Sequence, residues 1–254
     1  MSSITIALIS AGCIFGGVLL GMFLKNQLPD HHLSNDSKDT VKLGAGMIAT
    51  LSALILGLLV SSAKGTFDTM NTEIMQSAAK LVYLDRMLAD YGPQTKAARE
   101  LLRQTVATRV RMIWPENVKD NAAGFAAFER ANNLERLQLE LLDLSPTNNV
   151  QRQMFQQAQQ LCGELRQARW LVIEQTQIGL PAPFLVVLLF WLTALHMSFG
   201  LFAPRNATVI AVLLLCALSV SGAIFLILEM SHPLSGFIKV SSAPMLKALE
   251  HLGQ

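Results

Sequence analysis

Three observations predict an all-helical integral membrane protein, with four transmembrane helices arranged two and two around a cytoplasmic helical bundle. Four apolar stretches, Ile4–Leu24, Leu43–Ser62, Phe184–Phe202 and Thr208–Leu228, contain no Asp, Glu, Lys or Arg. At 1.5 Å per residue each spans about 30 Å, the thickness of a bilayer's hydrocarbon core. Charged residues concentrate instead between Lys64 and Glu174, and neither period-two alternation nor an Asn-Gly hairpin signal occurs in the chain. The predicted organisation is a transmembrane hairpin over residues 1–63, a cytoplasmic bundle over 64–180, a second hairpin over 181–229 and a cytoplasmic tail over 230–254.

The first span has the length of a retained helix rather than a secretory signal. Met1–Thr5 carries no basic side chain, and the apolar run exceeds the usual hydrophobic region of a signal peptide. The second span does not stop where the lipid does. Phe67, Met70, Ile74, Leu81, Leu84, Leu88 and Tyr91 continue at helical spacing beyond it. Gly65 permits a bend there, with Thr66 or Asp68 as a cap, but a continuous helix is equally allowed. Gly92-Pro93 ends this segment, because glycine accepts the left-handed cap and proline cannot continue the ladder.

A second insert helix is expected from Gln94 to Trp114, burying Ala97, Leu101, Val106, Val110 and Ile113. A third runs over Asn121–Leu142 with Phe125, Phe128, Leu134, Leu137 and Leu141 inward, and Ser145–Asn149 forms the following turn. The glutamine-rich fourth, Val150–Gln177, reads as a solvated bundle face or subunit contact before Gly179-Leu180-Pro181-Ala182-Pro183 leads into the third span. Short connections make these helices an antiparallel bundle.

Composition bounds the function classes. Hydrophobic residues make up 52% and charged residues 15%, against about 25% charged in soluble domains. A net charge of +2 without a basic stripe excludes nucleic acid as a partner. Cys13, Cys162 and Cys216 stand singly and read as buried structural thiols, with neither disulfide nor metal spacing. With an even number of spans, both termini and the insert share one side. Lys64, Lys80, Arg166, Arg169, Lys239 and Lys247 lie there, against Lys25, Lys38, Lys42 and Arg205 on the other. The positive-inside rule makes the insert side cytoplasmic.

Several constellations are candidate sites. Gly12, Gly16, Gly17 and Gly21 in the first span, and Ala45, Ala49, Ala53 and Gly57 in the second, form small-residue stripes. They suit packing of the first span on the second, or a subunit interface. His196 is the one ionisable group deep in a span; it is either a site or a neutral imidazole bonded to a backbone carbonyl. Ser61, Ser62, Ser198, Ser219 and Ser221 could line a wet path, although membrane serines commonly bond their own i−4 carbonyl.

Glu229 at the end of the fourth span requires a partner, with Lys64 or Lys239 as candidates. The tail after it, shaped by Pro233, Gly236 and Pro244, either docks on the bundle or lines a pore mouth. Asp30, His31, His32, Asp36 and Asp39 lack metal-ligand spacing and read as a solvated connector. Asp85-Arg86 and Asp90 read as a helix end with local ion pairs. No catalytic constellation, cofactor motif or metal site is found.

Three strings are more specific. HHLSNDSKDTVKLGAGMIATLSALILGLLVSSAKGTFDTMNTEI, LVYLDRMLADYGPQTKAARELL and LEMSHPLSGFIKVSSAPM resemble a bacterial family termed bestrophin-like, over nearly the whole chain after the first span. The resemblance implies distant kinship to bestrophins, pentameric anion channels with a cytosolic helical region. No acidic cluster here matches their calcium clasp, and the third span, with Phe184, Phe190, Trp191 and Phe199, does not reproduce their hydrophobic neck.

The leading expectation is an oligomeric ion channel, or channel-like protein, with its pore along the subunit axis and the bundle as a cytoplasmic vestibule. Its partners would be the lipid bilayer, further copies of itself and inorganic ions. The alternative is a non-conducting membrane adaptor or sensor whose bundle binds a protein. An enzyme is disfavoured by the missing site chemistry.

Overall fold

The computed structural model describes residues 2–29, 34–114, 133–177 and 182–254. Among these the chain is helical, without strands, in the order α1 (Ser3–Leu24), α2 (Asn35–Tyr91), a 3-10 turn (Pro93–Thr95), α3 (Lys96–Ile113), α4 (Asn133–Leu142), α5 (Asn149–Gln177), α6 (Ala182–Phe202), α7 (Ala207–Met230) and α8 (Ala243–His251). Four of them, α1, α2, α6 and α7, are long and apolar enough to cross a membrane. The Asp30, His31 and His32 connector, Phe125 and Phe128, and Gly179-Leu180-Pro181 lie outside the described residues.

Two units emerge: residues 1–66 with 179–232, and residues 67–178 with 233–254. In the first, Ser2 caps α1 by accepting from the Thr5 N–H at 3.2 Å, and Asn206 caps α7 by accepting from Val209 at 2.8 Å. α1 packs against α6 and α7. Its last turn is tied to the α6–α7 connection by two cations. Lys25 Nζ donates to the Ala203 carbonyl at 3.0 Å, and the Arg205 guanidinium donates to the carbonyl of Met22. Both satisfy carbonyls that a helix end leaves without a backbone partner. Ile14, Leu59, Ala63, Leu188, Leu192, Ala217, Ile224, Ile227 and Leu228 form the core of this unit.

α2 runs through Gly65 without a break. The bend allowed at that glycine is not used. Thr66 does not cap; its hydroxyl donates back to the Ser62 carbonyl at 3.2 Å, a bond made inside a continuing helix.

The second unit is built on leucines at helical intervals. Met70, Leu81, Leu84 and Leu88 of α2, Leu102 and Val106 of α3, Leu134, Leu137 and Leu141 of α4, and Leu165 and Ile173 of α5 fill one core. Two expectations shift here. The buried face of α3 is Ala98, Leu102, Thr105, Val106, Arg109, Val110 and Ile113, so Ala97 is exposed and Leu101 only half-buried. The 3-10 turn at Pro93–Thr95 delays the helix start and leaves the 98–102 pair facing inward. The tail joins this core through Leu234, Val240, Met245, Ala248 and Leu252, with Trp114 Nε1 donating to the Val240 carbonyl at 2.8 Å. It docks on the bundle.

Gly92, at φ 129°, ends α2 in a conformation that side chains rarely adopt. The Thr95 hydroxyl meets the Gly92 carbonyl at 2.8 Å and that of Leu88, closing the turn. Asp85 does not pair locally with Arg86. It is 1% exposed and binds Arg99 of α3 through two bonds of 2.9 and 2.8 Å, and it accepts the Gly253 N–H at 3.1 Å. The hydrogen bonds to Asp85 raise the Arg99 pKa above its ordinary value.

Candidate functional site

In the membrane unit the glycine stripe of α1 meets α6, not the second span. A Cβ on Gly17 would lie 2.8 Å from the Thr193 carbonyl oxygen. One on Gly21 would collide with the Met197 carbonyl, and one on Gly200 with that of Val18. Backbone is thus packed on backbone, where dispersion and Cα–H···O contacts replace the hydrophobic force that lipid cannot supply. Gly12 and Gly16 have nothing within 4 Å, and neither does Gly57. Ala53 is likewise exposed, whereas Ala45 and Ala49 are half-buried.

α2 is the least covered of the four spans. Ser52, Leu59 and Ala63 face inward. On the other side Leu43, Met47, Leu51, Leu54 and Leu58 are exposed, Leu54 by 70%. At 3.6 residues per turn these five fall within about a quarter-turn of one another. Ser61, exposed as is Ser62, continues the same line. The result is an apolar stripe ending in hydroxyls. Beside it, Val41, Lys42, Ala45, Gly46 and Ala49 of α2 and Leu195, Ser198, Phe199, Phe202 and Ala203 at the end of α6 line an open cavity of about 350 Å³. The Lys42 ammonium at its rim pairs with Asp39 at 3.1 Å.

The remaining polar candidates are placed differently. His196 is 3% exposed, its Nδ1 2.8 Å from the Leu192 carbonyl and its ring edge-on to Phe199 at 5.8 Å. A carbonyl oxygen only accepts, so Nδ1 carries the proton of this bond. Glu229 is also 3% exposed, at the end of α7. Ser219 and Ser198 donate to the carbonyls of Leu215 at 2.8 Å and Leu195 at 2.7 Å. Ser52 and Ser221 break that habit, since their hydroxyl oxygens are buried with no hydrogen-bond partner. His196, Ser221 and Glu229 therefore sit off the exposed surface of a single chain, and an exposed wet face would draw on Ser61 and Ser62.

The cysteines divide likewise. Cys13 and Cys216 lie exposed on apolar spans, contrary to the buried reading, while Cys162 is buried in α5. Burial pushes its thiol up to about 11. A water-soluble maleimide should therefore modify Cys162 at least about tenfold more slowly in the folded protein than in denaturant, measured by mass spectrometry.

The bundle holds a feature that sequence reasoning missed. Arg109 of α3 and Arg169 of α5 are both buried and line one small cavity. Burial first, and then the like charge of Arg169, pull Arg109 down to about 10, while Glu135 acts in the opposite direction. Glu135 meets Arg169 at 3.6 Å. A signal was present: each arginine occupies a position where the helical period of its neighbours calls for an apolar residue. No metal-binding cluster occurs among the described residues.

Comparison with known proteins follows this geometry. Comparison with curated protein sequences returns no match. Among solved structures the chain is similar to a bacterial bestrophin homologue from Klebsiella pneumoniae carrying a point substitution, at TM-score 0.69 and 10% identity over 100% of both chains. A second variant of that homologue matches at TM-score 0.67 and 12% identity, over 95% of this chain and 99% of that one. A crystal structure titled only as a membrane protein matches at TM-score 0.70 and 11% identity, over 94% and 96%. The Bestrophin-like domain profile matches residues 12–245. An all-helical membrane fold shared with a bestrophin homologue, and a family match across almost the whole length, together place this chain in the Bestrophin-like family.

Proposed function

We propose that the protein is an oligomeric, channel-like membrane protein whose pore runs along the subunit axis, lined by α2, with the helical bundle as its cytoplasmic vestibule. The observation that carries this reading is the stripe of Leu43, Met47, Leu51, Leu54 and Leu58, exposed on the least covered span and running into Ser61. Copies arranged around an axis with these stripes inward form a hydrophobic constriction of the kind that gates by dewetting. The exposed small residues Ala53 and Gly57 beside the stripe leave room for a neighbouring helix to approach. Family membership and the bestrophin fold support the same reading.

His196, Ser198, Ser219, Ser221 and Glu229 are then gating residues rather than part of the α2 stripe. The buried His196, Ser221 and Glu229 become wet only when helices move, and the unpartnered hydroxyls of Ser52 and Ser221 lower the cost of such a movement. Both termini and the bundle face the bacterial cytoplasm, by the excess of Lys and Arg on that side. The protein is not an enzyme in this reading.

Flux through purified proteoliposomes is the test. Wild-type protein conducts, and Leu54→Ser or Leu58→Ser, which hydrate the constriction, raise conductance several-fold. Background current for wild type and both variants, in an assay that detects a control channel, removes the reading. A symmetric but silent assembly then leaves the adaptor whose bundle binds a protein.

A further inference from the structure

We propose that the cavity between α2 and the end of α6 is a site for one acyl chain of an anionic phospholipid, with Lys42 placed to meet the phosphate of its headgroup. Ala45, Gly46 and Ala49 line it from α2, and Leu195, Phe199 and Phe202 from α6. Its volume of about 350 Å³ falls within the range of about 300–1,000 Å³ typical of small-ligand sites. Small residues make the space: a Cβ on Gly46 would meet nothing within 4 Å. The rise from Lys42 to Ala49 is about 10 Å, against about 15 Å for half of a bilayer's hydrocarbon core. The cavity therefore begins where the uncharged run of α2 begins and reaches well into one leaflet.

An apolar space inside hydrocarbon is filled by something apolar. Water needs two to four polar partners, and the Ser198 hydroxyl in the lining already donates to the Leu195 carbonyl at 2.7 Å. A void would forfeit dispersion contacts on both helices, which a lipid chain supplies. Charge at the rim selects the headgroup. The Lys42 ammonium pairs with Asp39 at 3.1 Å, but the two side chains are 66% and 72% exposed, and such pairs contribute at most about 1 kcal/mol. An ammonium has three donors, so Lys42 can take a phosphate oxygen as well. A second ammonium, that of Lys25, lies 3.0 Å from the carbonyl of Ala203, which also lines the cavity. The other apolar occupant would be a helix of a second copy. The cavity is centred about half a turn around α2 from the stripe of Leu43 to Leu58. Turning that stripe to the subunit axis, as proposed above, turns the cavity to lipid. The choice of lipid over a neighbouring helix rests on that reading, whereas lipid binding itself does not require conduction.

Full-length protein reconstituted with a phosphatidylglycerol that carries a photoactivatable diazirine in its acyl chain tests the site. After irradiation, mass spectrometry should find the label concentrated on residues 41–49 and 195–203 and displaced by excess unlabelled phosphatidylglycerol. Gly46→Leu fills the cavity where a side chain has room, and should lower the apparent affinity at least about tenfold. Leu8→Phe, on an exposed face of α1, should label as wild type does. Lys42→Gln should keep the labelled positions but lose the preference for phosphatidylglycerol over zwitterionic phosphatidylcholine. An unchanged preference in that variant overturns the role of Lys42. Label spread evenly over the exposed faces of the four spans, or equal affinity in wild type and Gly46→Leu, overturns the site. So does a map of the assembled particle in lipid that shows a neighbouring subunit's helix in the cavity. None of these readouts depends on current, so a silent protein that still labels at this position removes the pore and leaves the lipid site standing.

Discussion

Gly21→Leu and Gly200→Leu should each prevent α1 and α6 from packing, with a loss of at least about 3 kcal/mol in the membrane unit. The Cβ alone would collide with a backbone carbonyl in both cases, Met197 for Gly21 and Val18 for Gly200. A flexible side chain can swing aside, but a carbonyl held in a helix cannot move without displacing the whole helix. The only relief is separation of the two spans, which forfeits the dispersion contacts along their length. The expected readout is early thermal unfolding in detergent, together with a broadened or aggregated size-exclusion profile. Gly12→Ala and Gly16→Ala are the controls. Both sites have open space around them, so their stability should stay within about 0.5 kcal/mol of wild type. Equal behaviour of the two sets would mean that the close crossing does not hold the spans together.

The second large effect is expected at Asp85. Asp85→Ala removes a carboxylate that is 1% exposed; it leaves the Gly253 N–H without its acceptor and Arg99 with only the Gln254 carbonyl, at 2.9 Å. Breaking a buried pair costs about 3–5 kcal/mol. Arg99 is one-fifth exposed, so water recovers part of its solvation and the lower end of that range applies. Because Gly253 loses its anchor as well, the tail should become sensitive to limited proteolysis before the bundle unfolds globally. Asp85→Asn keeps one acceptor oxygen and should fall between wild type and alanine. A tail equally resistant in wild type and Asp85→Ala would show that the apolar contacts of Met245, Ala248 and Leu252 suffice to hold it.

The spans were legible because their signal is local. An uncharged run of lipid length reads the same whatever it packs against, and all four runs fall within the helices found. The insert helices were legible for a related reason, since leucines such as Leu81, Leu84 and Leu88 recur at helical spacing. What periodicity marked ambiguously was the exact face of α3, where Ala97 and Ala98, or Leu101 and Leu102, are equal candidates until the turn before them sets the rotation. The candidate site was legible only as residue types. His196 was seen, and so was its backbone-bonded alternative. The exposed stripe of α2 was not, because an all-apolar span carries no amphipathic signal to say which side its neighbours cover.

By itself the sequence determined the membrane class, the helical content and the order of spans and bundle, all of which follow from transfer energies and periodicities that neighbouring residues carry along the chain. Tertiary structure alone decided which surfaces meet. Gly21 finds Met197 and Asp85 finds Arg99; Arg109 and Arg169 come to share one cavity. Each of these is a contact between segments distant in sequence, made by shape and charge in three dimensions, and no local pattern encodes the partner.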